Sequence, residues 1–238
     1  YRIKSHVHLD EMDRSKNEFV LLPNFRLPTH IHSRSANAKW LTEIAHRNPI
    51  WIHTKDAERL GVNNGDLLKI TTAIGWFVDK VWVTEAIKPG VVACSHHIGR
   101  WRRQNDEGNR FMTNTVNIKN LGEGKWKMET VSGVEPWKTD DPDTNRVWWR
   151  DGGVHQNITH ATNPDPISGA HCWHQKVSIS KPEPGEKYGD IFVDTNKSFE
   201  HFKKWNEWAK ARETHPDGLR RPLWMARPLN PQLENYYL

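Results

Sequence analysis

The stretch 49–99 constrains the fold most, because turn-forming and strand-forming residues follow one another there in a fixed order. Thr54 stands where a hydroxyl can cap a short helix over 55–60. Gly61 comes directly after that helix, in the position that favours the left-handed conformation. The tetrapeptide Asn-Asn-Gly-Asp at 63–66 then supplies turn-forming residues. The sequence therefore predicts a short capped helix, a glycine that ends it and a turn into a strand.

Two alternating runs and a Pro-Gly turn follow. Residues 68–72 alternate between apolar and polar side chains, and 76–83 do so again after a tight turn at 74–75. A period of two is typical of half-buried strands. Lys-Pro-Gly at 88–90 then turns the chain into the apolar segment 91–93. These patterns predict a domain that is mainly β, with short helices.

The composition suits one globular domain. The chain has 238 residues, of which 36% are hydrophobic and 26% charged, so it can bury a substantial core. No apolar run approaches the length that crosses a membrane, and we expect no direct membrane insertion. Cys94 and Cys172 permit one disulfide, but they form no paired-cysteine motif for zinc or an iron–sulfur cluster. Because the first residue is Tyr1 and not Met, we expect a piece of a longer protein.

The net charge of +5 and the sequence pI of about 9.2 suit an anionic partner. Nucleic-acid-binding domains concentrate positive charge on one face or along one helix. Here Lys and Arg are mixed with acidic residues, and only 100–103, Arg-Trp-Arg-Arg, forms a compact basic patch. We therefore expect no nucleic acid partner.

The C-terminal part has a different pattern. Phe199, Phe202, Trp205 and Trp208 recur every three or four residues with charged residues between them, which predicts an amphipathic helix. The last stretch, 215–238, contains four prolines, so it suits an extended arm and not a helix or a central strand. Its Leu, Trp and Tyr side chains predict contact either with a partner or with this chain's own domain.

Several short motifs together resemble one known family. They are Asn48-Pro49, Ala57, Leu60-Gly61, Gly65-Asp66 and Ile-Lys-Pro-Gly-Val-Val at 87–92. In this order they resemble the C-terminal dinucleotide-binding domain of molybdopterin oxidoreductases, the family that includes dimethyl sulfoxide reductase, nitrate reductases and formate dehydrogenases. The likeness continues upstream over 19–40 and downstream over 152–179. Each motif alone is weak evidence, and the ordered set is strong evidence.

The resemblance implies a fold and a domain organisation. The expected fold is mainly β with short helices: a six-stranded double-psi β-barrel of the aspartate-decarboxylase type, with a C-terminal helix and an extended arm. We expect a lead-in segment (a strand or linker) at 1–18, the barrel at 19–195, and the helix and arm at 196–238. Within the barrel, 119–143 is rich in Gly, Pro and charged residues and predicts an insertion or a long surface loop.

The resemblance also implies a cofactor and a parent enzyme. The cofactor is molybdenum or tungsten held by two molybdopterin guanine dinucleotides, and the chain would position one half of it for oxygen-atom transfer or dehydrogenation. The metal performs the redox step, so no residue of this chain is expected to be catalytic or metal-ligating. Iron–sulfur clusters are expected in other domains or subunits. The expected partners are the rest of a larger catalytic chain and an iron–sulfur electron-transfer subunit, and the isolated chain should be inactive.

The family's cofactor contacts are expected on four segments, of which three match its pattern. The first follows the first strand, and it contains His32, Ser33, Arg34, Ser35 and Asn37. The second follows the Pro-Gly strand, and it contains His96, His97 and Gly99. The third matches an Asn-x-hydrophobic-Thr element, and it contains Gln156, Asn157 and Thr159. Hydroxyl, amide and backbone N–H groups suit pyrophosphates and the edges of guanine and pterin rings.

The fourth segment departs from the family's commonest pattern. Many members carry Pro, an aromatic residue and Lys, whereas this chain has Trp173 in the aromatic place and His174 in the Lys place. Histidine reaches less far than lysine and is only partly charged near neutral pH. The lysine contact is therefore expected from one of His174, Gln175 and Lys176.

Two alternatives stay open. The fourteen histidines include His30-x-His32, His96-His97 and the pair His171 and His174, which permit a cupin-like barrel around a mononuclear metal. No glutamate stands at the cupin spacing after His30 or His32. The other alternative is a structural assembly subunit that keeps the barrel and binds no cofactor.

Overall fold

The computed structural model of the chain describes residues 7–23, 48–96, 116–130, 154, 156–162 and 172–210. Within these residues the strands are β1 (Glu18–Leu22), β2 (Ile50–Ile52), β3 (Leu67–Thr71), β4 (Gly75–Val83), β5 (Val91–Ala93), β6 (Val116–Gly122), β7 (Lys125–Thr130), β8 (Gln175–Ser180) and β9 (Ile191–Asp194). The α-helices are α1 (Thr54–Leu60) and α2 (Thr195–Lys210). Short 3-10 turns lie at Leu9–Glu11, Arg14–Lys16 and Gln156–Thr159.

Six of the strands close into a barrel. They follow the order β2-β5-β1-β8-β3-β4, and β4 pairs back with β2. The pairs β1–β5 and β2–β4 are parallel, with Val20 opposite Val91 and Trp51 opposite Trp82. The other pairs in the barrel are antiparallel. A mainly β chain with a closed six-stranded barrel confirms the predicted fold class.

Apolar and polar residues alternate along the strands, so the apolar face of each strand lies toward the barrel interior. The inward side chains are at most 1% exposed, and burying one of this size stabilises the fold by roughly 1.5–3 kcal/mol. They include Phe19, Leu21, Ile50, Ile52, Leu68, Ile70, Phe77 and Val92. Because these side chains fill the interior, a ligand is expected at an end of the barrel and not along its axis.

The predicted helix after β2 is present, but His53 caps it. His53 accepts a hydrogen bond from the Lys55 N–H through Nδ1 at 3.1 Å, and its backbone is extended. The prediction that Thr54 is the cap was wrong, because Thr54 is already the first helical residue and its hydroxyl donates to Glu85 at 3.1 Å. Gly61 ends the helix with φ of +64°, as the sequence predicts.

A β-hairpin occupies the first part of the segment 119–143, where the sequence predicts an insertion or a long surface loop. β6 pairs with β7, and β7 pairs with β9, so the hairpin extends the barrel sheet beyond β4. All three residues of the turn 122–124 have positive φ. Charges that suggested a loop form ion pairs in the hairpin, since Lys119 contacts Glu129 across the strands and Lys127 contacts Glu129 along β7. The remainder of that segment lies outside the described residues.

The lead-in segment is fastened to the barrel. Two 3-10 turns precede β1, where the sequence predicts a strand or a linker. Asp13 caps the second turn by accepting the Ser15 N–H at 3.0 Å. Arg14 donates to Asp56 of α1 at 3.0 Å. β1 therefore begins from a docked segment.

The predicted amphipathic helix is α2, which directly follows β9. Phe199 and Phe202 stack on it with ring centroids 6.5 Å apart, and Phe199 is 57% exposed. The predicted arm lies beyond α2, outside the described residues. None of the helices in the described part of the chain has the length and apolar character needed to cross a membrane.

Candidate functional site

Polar side chains gather at one end of the barrel. β1 and β5 are parallel, so their carboxyl ends lie side by side. β8 runs antiparallel to β1, and β2 runs antiparallel to β5, so the amino ends of β8 and β2 reach the same end. The residues just before β2, after β5 and before β8 therefore meet. The 3-10 turn Gln156–Thr159 packs there as well.

Asn48, which lies before β2, is tied to Ser95, which lies just beyond β5. Asn48 Nδ2 donates to the Ser95 carbonyl at 2.6 Å, and Oδ1 accepts the Ser95 N–H at 2.7 Å. Both residues are at most 1% exposed. Sequence reasoning placed neither in the site, and the signal that could have found them was an asparagine directly before Pro49 at the start of a strand.

Gln156 reaches the same carbonyl. Its Nε2 donates to the Ser95 carbonyl at 2.8 Å and to Cys94 Sγ at 3.1 Å. Gln156 is completely buried, yet its Oε1 has no hydrogen-bond partner among the residues that the structure describes. An unsatisfied buried acceptor costs about 1–3 kcal/mol. Gln156 therefore offers an acceptor to any ligand that brings an N–H or O–H donor.

Asn157 offers a second acceptor, whereas Thr159 supports the turn. Asn157 Nδ2 donates to the His96 carbonyl at 3.2 Å, and its buried Oδ1 has no hydrogen-bond partner in the described part of the chain. The Thr159 hydroxyl donates to the Gln156 carbonyl at 2.7 Å. The Thr159 carbonyl in turn accepts from the Thr72 hydroxyl. The structure thus uses the polar atoms of Thr159 to hold the turn against the barrel.

His96 is fixed between β1 and β8. Its backbone N–H and its ring Nδ1 both lie 2.8 Å from the Pro23 carbonyl oxygen. A carbonyl can only accept, so Nδ1 carries a proton, and Nε2 of the neutral ring is the acceptor nitrogen. The ring stacks on Trp173 with centroids 4.6 Å apart. Trp173 of the fourth segment therefore orients His96 of the second segment.

The three candidates of the fourth segment have different surroundings. Gln175 is 2% exposed, and its amide accepts from the Ala161 N–H at 3.2 Å and donates to the Ala161 carbonyl at 3.3 Å. Lys176 lies on the outer face of β8 and pairs with Glu18 at 2.7 Å. His174 stands before β8, next to Trp173, and is partly buried. Gln175 and Lys176 thus have partners within the barrel itself.

The cysteines are buried thiols, so the disulfide that the sequence permits between Cys94 and Cys172 is not formed. Burial raises the pKa of the Cys94 thiol well above its usual value, and the negative charge of Asp79 raises it further. The hydrogen bond from Gln156 acts in the opposite direction and is the smallest of these effects. Cys94 therefore stays a neutral thiol at neutral pH and is a poor nucleophile.

Several predicted contacts lie outside the described residues. They are His32, Ser33, Arg34, Ser35, Asn37, His97 and Gly99. The same holds for His30 and His171, on which the cupin-like alternative depends. Among the residues that the structure describes, no group of three or more His, Cys, Asp and Glu side chains is placed to hold a metal ion.

Comparison with known proteins finds a matching family model. Residues 20–123, which are less than half of the chain, match the molydopterin dinucleotide binding domain. The matched stretch of the domain contains Asn48, Ser95 and His96, and the turn with Gln156 and Asn157 follows it. The resemblance that the motifs predicted is confirmed.

Individual relatives of the domain are reductases. Dimethyl sulfoxide reductase DmsA of Escherichia coli is 27% identical over 156 residues, 66% of this chain and 14% of that protein. The arsenate respiratory reductase molybdopterin-containing subunit ArrA of Chrysiogenes arsenatis is 35% identical over 68 residues, 25% of this chain and 8% of that protein. A tetrathionate reductase subunit of Archaeoglobus fulgidus is 32% identical over 87 residues, 37% of this chain and 8% of that protein. The chain therefore spans a small part of each relative's length.

A solved structure also matches. Acetylene hydratase from Pelobacter acetylenicus covers 76% of this chain with 21% of its own length, at a TM-score of 0.44 and 15% sequence identity.

Proposed function

We propose that this domain binds a molybdopterin guanine dinucleotide within a molybdenum or tungsten oxidoreductase that holds two such dinucleotides. The observation that carries the proposal is the pair of buried amide oxygens, Gln156 Oε1 and Asn157 Oδ1, which have no hydrogen-bond partners among the described residues. Both stand at the end of the barrel where the described residues of the second, third and fourth candidate segments meet. The family match over 20–123 supports the ligand class.

The chemistry of these oxygens suits the proposed ligand. Guanine and pterin rings each carry a ring N–H beside an exocyclic amino group, so both present donors along one edge. Amide oxygens only accept hydrogen bonds. Donors from the ligand would remove the cost of two unsatisfied buried acceptors, about 1–3 kcal/mol for each. Gln156 and Asn157 are therefore proposed to recognise the donor edge of one ring.

The remaining contacts are proposed by segment. His96 is held by Pro23 and Trp173, so its ring has a fixed orientation, and it is proposed to contact the pterin system. His174 stands next to Trp173 in the place of the family's lysine, and it is proposed to make the corresponding contact. The pyrophosphates are assigned to hydroxyl and backbone N–H groups of the first and second segments. Those residues are His32, Ser33, Arg34, Ser35, Asn37, His97 and Gly99.

The domain's own contribution is to bind and orient. The bound group supplies a metal that changes oxidation state, and the protein around it supplies positioning and electrostatics. The aligned stretches cover at most 14% of the three relatives described above. We therefore propose that substrate conversion needs the rest of a larger catalytic chain, and that the electron-transfer partner is an iron–sulfur subunit. The isolated chain is expected to be inactive.

Elemental and pterin analysis of the native assembly tests the proposal. Molybdenum, tungsten and iron are counted by mass spectrometry, and the guanine dinucleotide is identified after oxidative release. The expected result is molybdenum or tungsten together with a pterin guanine dinucleotide, and iron in the amount of the clusters in the partner chains. Zinc or copper without any pterin would contradict the proposal and favour histidine ligation of a single metal.

A further inference from the structure

A proline interrupts the ladder between β2 and β5 at the candidate site. The antiparallel register places Trp51 opposite Ala93, so two residues further on Pro49 stands opposite Ser95. Proline has no N–H and cannot donate to the neighbouring strand. The backbone of β2 therefore offers no N–H opposite Ser95.

The Asn48 side chain supplies what the proline lacks. Successive N–H groups of a strand point to opposite edges, and the N–H groups of Cys94 and His96 both donate to the β1 side. The Ser95 N–H therefore faces β2, where Asn48 Oδ1 accepts it at 2.7 Å while Nδ2 donates to the Ser95 carbonyl at 2.6 Å. One side-chain amide thus continues the ladder past Pro49.

Ser95 and His96 in turn hold the third candidate segment. The Ser95 carbonyl accepts a second hydrogen bond from Gln156 Nε2 at 2.8 Å. The His96 carbonyl accepts from Asn157 Nδ2 at 3.2 Å. The orientation of both amides, and hence of their unsatisfied oxygens, depends on where these two carbonyls stand.

Pro23 and Asn48, which flank the stretch 24–47, contact the same two residues. The residues of the first candidate segment fall within 24–47, and the described residues on either side of that stretch are Pro23 and Asn48. The Pro23 carbonyl accepts from the backbone N–H and the ring of His96, and Asn48 pairs with Ser95. The spacing between the two ends of the stretch is therefore set by the backbone of Ser95 and His96.

We propose that Asn48 is a positioning residue for the dinucleotide site. Its amide replaces the missing N–H of Pro49, fixes the Ser95–His96 backbone, and so holds Gln156 and Asn157 of the third segment at a set distance from His96 of the second before the cofactor arrives. This role rests on the proposed function of the domain. Asn48 itself is fully hydrogen-bonded to Ser95 and acts through it.

Hydrogen exchange of the full chain without cofactor tests the structural step. In Asn48→Ala the amides of Ser95, His96 and 156–160 should exchange about tenfold faster, while that of Ile70 in the barrel interior is unchanged. If Asn48→Ala fails to fold, Asn48→Ser is the second variant: its shorter side chain keeps a hydroxyl that can make one hydrogen bond, so the same amides should show a smaller increase. The matched control is Asn64→Ala, which removes the hydrogen bond from the Val83 N–H at the opposite end of the barrel.

A rescue variant and cofactor content test the role in binding. Asn48→Ala should lower the molybdopterin guanine dinucleotide content of the native protein severalfold, and Asn64→Ala should leave it unchanged. Asn48→Ala with Pro49→Ala restores a backbone N–H opposite Ser95, so it should recover part of both the protection and the content. A variant that merely destabilises the fold would show no such recovery.

The outcomes separate the two proposals. Equal acceleration of exchange throughout the barrel, or acceleration confined to Ser95, would overturn the positioning role. Normal cofactor content in Asn48→Ala would overturn it as well. A native protein that contains no pterin at all would refute the proposed function, and the exchange pattern would still decide whether Asn48 sets the spacing of the segments.

Discussion

Arg14 donates from Nη1 to Asp56 Oδ1 at 3.0 Å and thereby joins the lead-in segment to α1, 42 residues further along the chain. The other carboxylate oxygen of Asp56 accepts the Gly90 N–H at 2.6 Å, at the Pro-Gly turn before β5. Gly90 has φ of +84°, and a Cβ there would collide with the Arg14 guanidinium. One buried carboxylate therefore fixes the start of β5 to two other segments.

Removing this carboxylate should destabilise the fold strongly. Asp56→Ala is expected to lower the free energy of unfolding by about 3 kcal/mol, because the half-exposed Arg14 guanidinium and the buried Gly90 N–H lose their acceptor together. Arg14→Met should cost less, since the Arg14 side chain is 43% exposed. Urea denaturation measures both. The control is Lys16→Met, which breaks an exposed pair with Asp13 and should cost at most about 1 kcal/mol. An Asp56→Ala cost no larger than that of the control would contradict this role.

The cap of α1 gives a second prediction. His53→Ala removes the acceptor of the Lys55 N–H and should lower the free energy of unfolding by about 1 kcal/mol. His53→Asn keeps a side-chain acceptor at this position and should recover most of that loss. Thermal or urea unfolding measures the loss of stability in each of the two variants. Equal losses in the two variants would show that packing of the ring, and not its Nδ1, stabilises the helix.

The acceptor at Asn157 gives a prediction about binding. Asn157→Leu removes the buried oxygen that we assign to the ligand, so the molybdopterin guanine dinucleotide content of the native protein should fall about tenfold. Asn120→Ala removes an amide that accepts the Gly122 N–H in the β6–β7 hairpin, and it should leave the content unchanged. Pterin release followed by chromatography measures the dinucleotide content of each variant. Equal content in the wild type and in Asn157→Leu would remove Asn157 from the site.

Acid should weaken the sheet through two glutamates. A hydrogen bond from Lys176 holds the pKa of Glu18 below its usual 4.5, and Lys119 followed by Lys127 does the same for Glu129. Such a carboxylate stabilises the folded state above its unfolded pKa, and this contribution is lost as the pH falls through the folded pKa. Stability should therefore decline below about pH 4.5.

Variants identify the groups responsible for this decline. Glu129→Gln removes one titrating carboxylate, so its unfolding midpoint in urea should depend less steeply on pH in the acid range. Asp190 acts in the opposite direction, because burial raises its pKa and its protonation then favours the folded state. Asp190→Asn should therefore steepen the acid decline. Parallel curves for Glu129→Gln and the wild type would exclude Glu129 as a contributor.

Local patterns predicted those parts of the fold that depend on neighbouring residues. Alternation identified β3 and β4, and the Pro-Gly turn identified the start of β5. Gly61 was predicted to be left-handed because a helix ending there needs that conformation. The resemblance to the family supplied the barrel and three residues that the structure brings together, His96, Gln156 and Asn157. Whether these three contact the cofactor stays a prediction.

Predictions that depended on distant contacts were less complete. The interpretation of 119–143 as an insertion or a long surface loop did not specify the hairpin, because the partner that fixes β7 is β9, far along the chain. Gly75 was read only as part of a tight turn, but β9 passes so close that a Cβ there would strike the Phe192 carbonyl. Composition within the segment could not reveal either neighbour.

The sequence by itself determined β3, β4, the start of β5, the turns beside them and the resemblance to a family, because alternation, glycine positions and motif order are local properties of the chain. Only the tertiary structure decided how the site is held together. Asn48 and Ser95 are 47 residues apart, and Gln156 and Ser95 are 61 apart. Their hydrogen bonds exist because barrel closure brings the ends of β1, β2, β5 and β8 to one place. Pairing at that distance is set by the register of the whole sheet, which no local pattern encodes.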